Sequence, residues 1–405
     1  MPSQSTVGYV MMQTMRLLHT ADWHAGRTLR GFERTSEIRA ALIEIAALAK
    51  SEKVDAVLVA GDVYDMPNPN AEAESAVYDF FLTLGAVGIP SVVIAGNHDN
   101  PQRLESVAGL LSKVKVSLLG TVRPDLKAVT LELQAGSLVV AGLPFLSERR
   151  LVKAADLLKA PDVGEWRQKY RDGMRFFVNH ICQGFRADAV NILMLHTTLD
   201  GGLLSNSEYS FHVSNSYSLD PQSFPSSAQY VALGHLHKPQ ELGSAPPVQY
   251  SGSIIQLDFG EAGEQKRVNL IEVSPGKPAK VQHIPLSSGK TLKNIRTDLD
   301  GIERKLEELK GFTGHAKLVV QLEQPMQGLK DRILNGIKPW WNPSQLFALE
   351  TEIRNQEIKT AFQTAQAPEL SPLEAYRTFY AERRGKELPT DLEKAFLELL
   401  NDQEE

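Results

Sequence analysis

The chain has a single cysteine, Cys182, among 405 residues, so no internal disulfide can form and the composition is that of a protein from a reducing compartment. No apolar run approaches the roughly 18 residues of a membrane helix. The N-terminus lacks the basic, apolar and small-residue layout of a signal peptide. Residues 1–14 hold no lysine or arginine and Met15 opens the first strand pattern, so the natural start is expected at Met15, with the preceding residues a tail or a misassigned start, and the protein is expected in the cytoplasm. There is no G-x-x-x-x-G-K-[ST] phosphate loop: before Gly289-Lys290-Thr291, Ile284 stands where the upstream glycine is required. Any ATP hydrolysis therefore belongs to another chain. Internal repeats and low-complexity tracts are missing too. So is an excess of positive charge, since 43 Lys and Arg against 49 Asp and Glu leave a net −6, which excludes a uniformly basic surface.

What is present is an ordered set of short polar motifs: Asp22-Trp23-His24, Gly61-Asp62, Gly96-Asn97-His98-Asp99, His196 and Gly234-His235-Leu236-His237. Taken singly they are weak. Asp-x-His arises by chance, Gly-Asn-His-Asp also reads as a turn, and His-x-His can be two residues on one face of a strand. Taken together, they hold five of the ten histidines, and all supply oxygen or imidazole nitrogen, never thiolate. That donor set suits Mn²⁺, Mg²⁺ or Fe better than structural zinc. Paired ions about 3.5–4 Å apart activate water and clamp a phosphate ester during in-line displacement. Phosphoester hydrolysis is the chemistry this set supports.

Each motif follows a short apolar run that reads as a strand: Arg16 to Thr20, Val54 to Ala60, Ser91 to Ala95, Val190 to Leu195 and Gln229 to Leu233. Helical patterns at Ser36 to Lys50 and Ala71 to Leu84 separate the first three. The alternation predicts βαβ units and a buried parallel sheet, with the motifs beyond its carboxyl ends, where ligands bind in α/β folds. Glycines 61, 96 and 234 permit tight strand exits. Among the other histidines, His19 lies inside the first strand and reads as a core residue. His180, His212, His283 and His315 have no constellation around them.

The pattern D-x-H, GD, GNH[DE], H, GHxH resembles the calcineurin-like metallophosphoesterases. The wording LLHTADWHAGR, VLVAGDVYD, VVIAGNHDNPQRL and VALGHLHKPQ resembles the SbcD-type nucleases of bacterial double-strand-break repair, over most of the chain. The resemblance implies an α/β metallophosphoesterase core of layered β-sheets with flanking helices. It implies two divalent ions, Mn²⁺ preferred: one held by Asp22, His24, Asp62 and His237, the other by Asp62, Asn97, His196 and His235, with Asp62 bridging. His98 is then the general acid or transition-state stabiliser, a task imidazole suits at neutral pH. Relatives outside bacteria place a histidine three residues after the bridging aspartate. Here that residue is Asp65, and Asp65 and Asp99 are candidates for orienting the ligands. The implied activities are double-strand exonuclease, single-strand endonuclease and hairpin opening, in a nucleoid-associated complex. An enzyme acting on a small phosphate ester or cyclic nucleotide would show the same catalytic motifs. Only the additional modules separate the two readings.

The net charge leaves local patches open for phosphate contacts. Candidates are Arg27 and Arg30 with Arg34 after the first motif, Arg103 after the third, and the cluster Arg149, Arg150 and Lys153; each reads equally as solvated helix charge. The nuclease core is expected over 15–285. Residues 286–355 read as a small α/β module with a weak basic bias, by resemblance a DNA-capping domain; its helices are expected at Asp300 to Lys310 and Leu329 to Ile337, its strands at Ala316 to Leu322 and Leu346 to Ile353. Trp340 and Trp341 read as core residues of this module or as stacking platforms for a base. A linker is expected at 356–370. The tail, 371–405, shows two capping boxes, Ser371 to Glu374 and Thr390 to Glu393. One apolar stripe there contains Leu373, Tyr376, Phe379 and Tyr380; the other contains Leu392, Phe396 and Leu399. Helices this short cannot bury such faces alone. The resemblance implies docking on an SbcC-type coiled-coil ATPase, and a homodimer within a heterotetramer formed through helices at 71–84 and 101–113.

Overall fold

The computed structural model describes residues 14–123, 125–147, 163–205, 218–221, 224–244, 246–353, 373, 376–377, 380 and 388–402. Arg149, Arg150, Lys153, His212, the 356–370 linker and Phe379 lie outside them. The chain divides into two compact units, residues 1–146 with 174–354 and residues 147–173 with 355–405. No helix among the described residues is long and apolar enough to cross a membrane.

The first unit begins with strand β1 (Met15–Thr20), the short hairpin β2 (Thr28–Leu29) and β3 (Phe32–Glu33), and helix α1 (Thr35–Ser51). Strand β4 (Ala56–Val59), helix α2 (Ala71–Ala86) and strands β5 (Ser91–Ile94) and β6 (Val116–Leu119) follow. β1, β4, β5 and β6 pair in parallel. Next come β7 (Val129–Leu133), β8 (Gly136–Leu143), β9 (Val190–His196), β10 (Tyr230–Gly234), β11 (Gln240–Ser244), β12 (Pro247–Tyr250), β13 (Arg267–Val273) and β14 (Lys280–Pro285). One sheet has the order β14-β13-β1-β4-β5-β6 and the other β11-β12-β10-β9-β8-β7.

The parallel pairing expected from the βα alternation holds for β1, β4, β5 and β6, and the layered β-sheet core expected by resemblance consists of two mixed sheets. The first three motifs leave the first sheet, and His196 and Gly234-His235 close strands of the second. Alternating side chains show why one apolar run serves two layers. Leu18, Val57, Val59 and Val93 pack with Ile38, Leu42 and Ile45 of α1 and with Phe80 and Phe81 of α2. Leu17, Leu58, Val92 and Ile94 pack instead with Val140, Ile192, Met194 and Ala232 of the second sheet. A strand covered on both faces reads the same whether a helix or another sheet covers it. The periodicity therefore carries no sign of the second layer.

α2 starts as its sequence demands, with the Asn70 side chain accepting the Ala73 N–H at 2.9 Å and Glu72 and Glu74 in the first turn. The helix expected over 101–113 is shorter: Pro101–Ser106, then Ala108–Leu111. After β14 the same unit holds a three-stranded parallel sheet, β15 (Leu292–Thr297), β16 (His315–Leu322) and β17 (Phe347–Ile353), with helices Ile302–Glu307 and Leu329–Ile337. β15 is a strand that the sequence pattern does not predict. Ile302, Leu318, Val320, Leu322, Leu329 and Ile333 form the core of this module. Trp340 and Trp341 are half-buried and bond within the module, Trp341 lying edge-on to Phe347. Leu292 and Ala348 meet Leu29 and Phe259 in a further buried cluster.

Of the second unit, helix Thr390–Asp402 is described. Tyr376 stacks on Phe396 at 4.4 Å between centroids, Tyr380 lies edge-on to Tyr376, and Leu373 and Tyr380 are half-buried. Leu399 lies in the helix backbone. The Glu393 carboxylate takes the Arg377 guanidinium, with Nε at 3.1 Å.

Candidate metal centre

The loop leaving β1 lies against the loop leaving β4. The Asp22 N–H donates to the Gly61 carbonyl and the His24 N–H to the Asp62 carbonyl, both at 3.0 Å. Trp23 between them is fully buried, donating to Thr20 Oγ1 at 3.0 Å and packing edge-on against Phe80. This anchor fixes the loop whose neighbouring side chains enter the site.

The backbone here is left-handed where glycine would be preferred: φ is 51° at Asp22, 48° at His24, 49° at Asp62 and 104° at His235. Strain of this kind costs on the order of 1–3 kcal/mol per residue and concentrates at functional sites. Two glycines make the close approach possible. A Cβ at Gly96 would stand 2.1 Å from Asp62 Oδ1, and one at Gly61, itself at φ +92°, would stand 2.3 Å from His196 Nδ1.

All seven candidate ligands converge, with Asp62 between two groups. Its Oδ2 is 3.5 Å from His24 Nε2 and 3.4 Å from His196 Nε2, and its Oδ1 accepts the His98 N–H at 2.8 Å. In one group His24 Nε2 and His237 Nε2 are 3.1 Å apart, with an Asp22 oxygen within 4.8 Å of both ligating atoms. In the other, Asn97 Oδ1 is 2.9 Å from His196 Nε2 and 2.8 Å from His235 Nδ1. The Asp22 Oδ1 accepts the His235 N–H at 2.9 Å and ties the two groups together.

The imidazoles are held from behind. His24 Nδ1 lies 3.1 Å from Asp65 Oδ1, His237 Nδ1 lies 3.2 Å from Glu261 Oε1, and His196 Nδ1 lies 2.8 Å from the Ala60 carbonyl. Those acceptors draw the proton to Nδ1 and leave Nε2 as a lone pair. Two such lone pairs then face each other at 3.1 Å, that of His196 faces amide and carboxylate oxygens, and the buried Asp22 Oδ2 has no hydrogen-bond partner. Buried acceptors massed in this way need positive charge. Carboxylate, amide oxygen and neutral imidazole are donors that fit divalent cations.

The electrostatics agree. Burial pushes the Asp22 carboxyl up to about 7 against the pull of His196 and His237. Burial lowers His24 to about 4. At Asp62 burial is outweighed by His196, His98 and His24, which hold the carboxyl well below its usual range. At His196 burial is outweighed by Asp62, which raises the imidazole to about 9.

His98 is half-buried. Its Nδ1 donates to the Asp65 carbonyl at 2.8 Å and its ring lies edge-on to His24, 4.7 Å between centroids. It also falls within 4.8 Å of ligating atoms of His24 and Asp62. Asp65 therefore orients His24 through its side chain and His98 through its backbone. The Asp99 carboxylate accepts the N–H groups of Val63, Tyr64 and Gly96 at 3.1, 2.9 and 2.8 Å, binding the second and third motif loops together.

The candidate DNA-contacting arginines are each paired with a carboxylate. Arg27 lies 3.0 Å from Asp65, Arg103 lies 2.7 Å from Glu74, and Arg30 pairs with Glu350 of β17. Arg34 departs from its place in the surface patch: it is fully buried, paired with Glu37 at 2.7 Å and donating to the Gln256 carbonyl at 2.9 Å. A guanidinium three residues before a glutamate on a helix start reads as exposed, and only the three-dimensional return of Gln256 buries it. His19 is the core residue expected, 2.9 Å from the Tyr230 hydroxyl. Glu261 and its partner Lys266 carry no signal in the sequence, since no metal-type motif surrounds them.

Residues 15–239 match the family of calcineurin-like phosphoesterases. The chain is 40% identical over 282 residues to the SbcD component of the nuclease SbcCD from Bacillus subtilis, covering 69% of this chain and 71% of that one. The corresponding SbcD protein of Rhodobacter capsulatus is 34% identical, covering 67% and 69% of the two chains. That of Escherichia coli is 28% identical, covering 76% and 78%. With a dimetal-type donor set at the strand ends and similarity spread over two thirds of the chain, the protein belongs to the calcineurin-like phosphoesterase family and, within it, to the SbcD family of SbcCD nuclease components.

Proposed function

We propose that the chain is a metal-dependent DNA phosphodiesterase, the nuclease component of an SbcCD-type complex, acting as a double-strand exonuclease and single-strand endonuclease that also opens hairpins. The observation that carries this reading is Asp62, whose Oδ2 stands 3.5 Å from one imidazole and 3.4 Å from the other across two groups of buried acceptors. Asp22, His24, Asp62 and His237 would hold one divalent ion, and Asp62, Asn97, His196 and His235 the other. The family resemblance favours Mn²⁺, while the oxygen and imidazole donors suit Mg²⁺ or Fe as well. Bound there, the ions supply an activated water and charge neutralisation on the phosphate.

The chain's own residues do the rest. Asp62 keeps the two groups in register. Asp65 fixes the His24 tautomer and holds the His98 ring, whose Nε2 acts on the phosphate or its leaving oxygen. Arg27, Arg30 and Arg103 line the DNA path once their carboxylate partners exchange for phosphate. Residues 15–285 form the catalytic domain, 286–355 the DNA-capping domain, 356–370 a linker, and 371–405 the tail that docks an SbcC-type coiled-coil ATPase through Leu373, Tyr376, Phe379, Tyr380, Phe396 and Leu399. The working form is a homodimer within a heterotetramer, at the nucleoid.

The test is Mn²⁺-dependent cleavage of an end-labelled duplex and a hairpin beside bis-p-nitrophenyl phosphate. Cleavage of both DNAs is expected. Turnover of the small ester with both DNAs intact would overturn the nuclease reading in favour of a small-phosphate enzyme.

A further inference from the structure

Behind His237 lies a buried ionic pair that the motif pattern does not include. Glu261, fully buried, closes the short 3₁₀ turn Phe259–Glu261, whose Phe259 is locked among Leu29, Leu292 and Ala348. One carboxylate oxygen lies 3.2 Å from His237 Nδ1. The other accepts the Leu257 N–H at 3.0 Å, the Ser253 hydroxyl at 3.1 Å and the Lys266 ammonium at 2.7 Å. Lys266, itself buried, also donates to the His237 backbone carbonyl at 2.9 Å and to Glu264 at 2.8 Å. The pair thus grips both the ring and the backbone of one candidate ligand.

We propose that Glu261, steadied by Lys266, is the positioning residue that fixes the His237 ring with Nε2 directed at the metal; the inference rests on the metal centre described above. His24 is held in the same way by Asp65, whereas His196 is backed only by a neutral carbonyl. Carboxylate backing fixes tautomer and raises ligand basicity. Glu261 therefore acts on the ion shared by Asp22, His24 and His237, and leaves the ion at Asn97, His196 and His235 unaffected.

Glu261→Gln is the informative variant. Three donors face the inner oxygen, so the glutamine oxygen turns to them and its NH₂ turns to His237 Nδ1, favouring the tautomer that carries the proton on Nε2. Calorimetric Mn²⁺ titration of the full chain should show two ions in the wild type. In the variant one ion should weaken roughly 10–100-fold, the usual effect of such outer partners, with the second unchanged. Glu261→Asp keeps the charge beside Lys266 but withdraws the carboxylate from the ring, and should weaken the same ion if the glutamine variant fails to fold. Imidazole ¹⁵N spectra of the metal-free protein should show His237 protonated at Nδ1 in the wild type and at Nε2 in Glu261→Gln. Two ions bound as tightly as in the wild type, with the His237 tautomer unchanged, would overturn the proposal. A wild type that binds no Mn²⁺ would instead refute the metal centre itself.

Discussion

Acidification should weaken the fold through Glu37, and the size of the effect follows from its surroundings. Glu37 lies in the first turn of α1 and is nearly buried. Its carboxylate accepts from Arg34 at 2.7 and 2.9 Å, from the Lys290 N–H at 2.6 Å, and from His315 Nε2 of β16 at 2.9 Å. Burial alone would raise this carboxyl, but His315 and Arg34 outweigh it and bring it from 4.5 down to about 2. A depressed carboxyl stabilises the fold above its unfolded pKa and loses that contribution as pH falls through the folded one. The shift corresponds to about 3 kcal/mol at neutral pH, of which about 2 kcal/mol is gone by pH 3. Urea unfolding of the wild type and Glu37→Gln, each at pH 7 and pH 3, measures this directly. The wild type should lose about 2 kcal/mol more than the variant over that interval. Equal losses would show that Glu37 is not held in its ionised form, and the reasoning fails.

His98→Ala should keep both Mn²⁺ ions in a calorimetric titration and lose roughly 10²–10⁴ in cleavage rate, the span of a positioned acid or base; loss of an ion would place His98 among the ligands, and an unchanged rate would remove it from the chemistry. Truncation after residue 365 should leave Mn²⁺-dependent cleavage of bis-p-nitrophenyl phosphate intact while abolishing pull-down of a coiled-coil ATPase partner, because apolar helix anchors carry such recognition; undiminished pull-down refutes docking through the tail.

How much of the site can be read from sequence depends on whether the chemistry sits in one short stretch. Asp22, His24, Asp62, Asn97, His98, His196, His235 and His237 each follow an apolar run directly, so a strand end and a ligand type coincide within a few residues. Glu261 and Lys266 reach the same site from a 3₁₀ turn and the edge of β13, with nothing local to mark them. Asp65 is legible as a candidate, but its dual hold on His24 and His98 depends on the fold of the loop. Local charge patterns mislead at Arg34, because burial there depends on Gln256, more than two hundred residues away in sequence. The layers of the fold behave similarly: the βα alternation is clear through β5, whereas nothing local assigns β9 and β10 to a second sheet, although the helix Val163–Ile181 precedes β9 in the chain.

The most direct test of the bridged centre is the number of ions held by Asp62→Ala. Asp62 is the residue placed to touch both groups of donors, with His24 Nε2 and His196 Nε2 3.5 and 3.4 Å from the same oxygen. Equilibrium dialysis against Mn²⁺ should find two ions per chain in the wild type and a loss of tight binding in the variant, with duplex cleavage abolished. Two tightly bound ions and near-normal cleavage in Asp62→Ala would contradict the bridged centre.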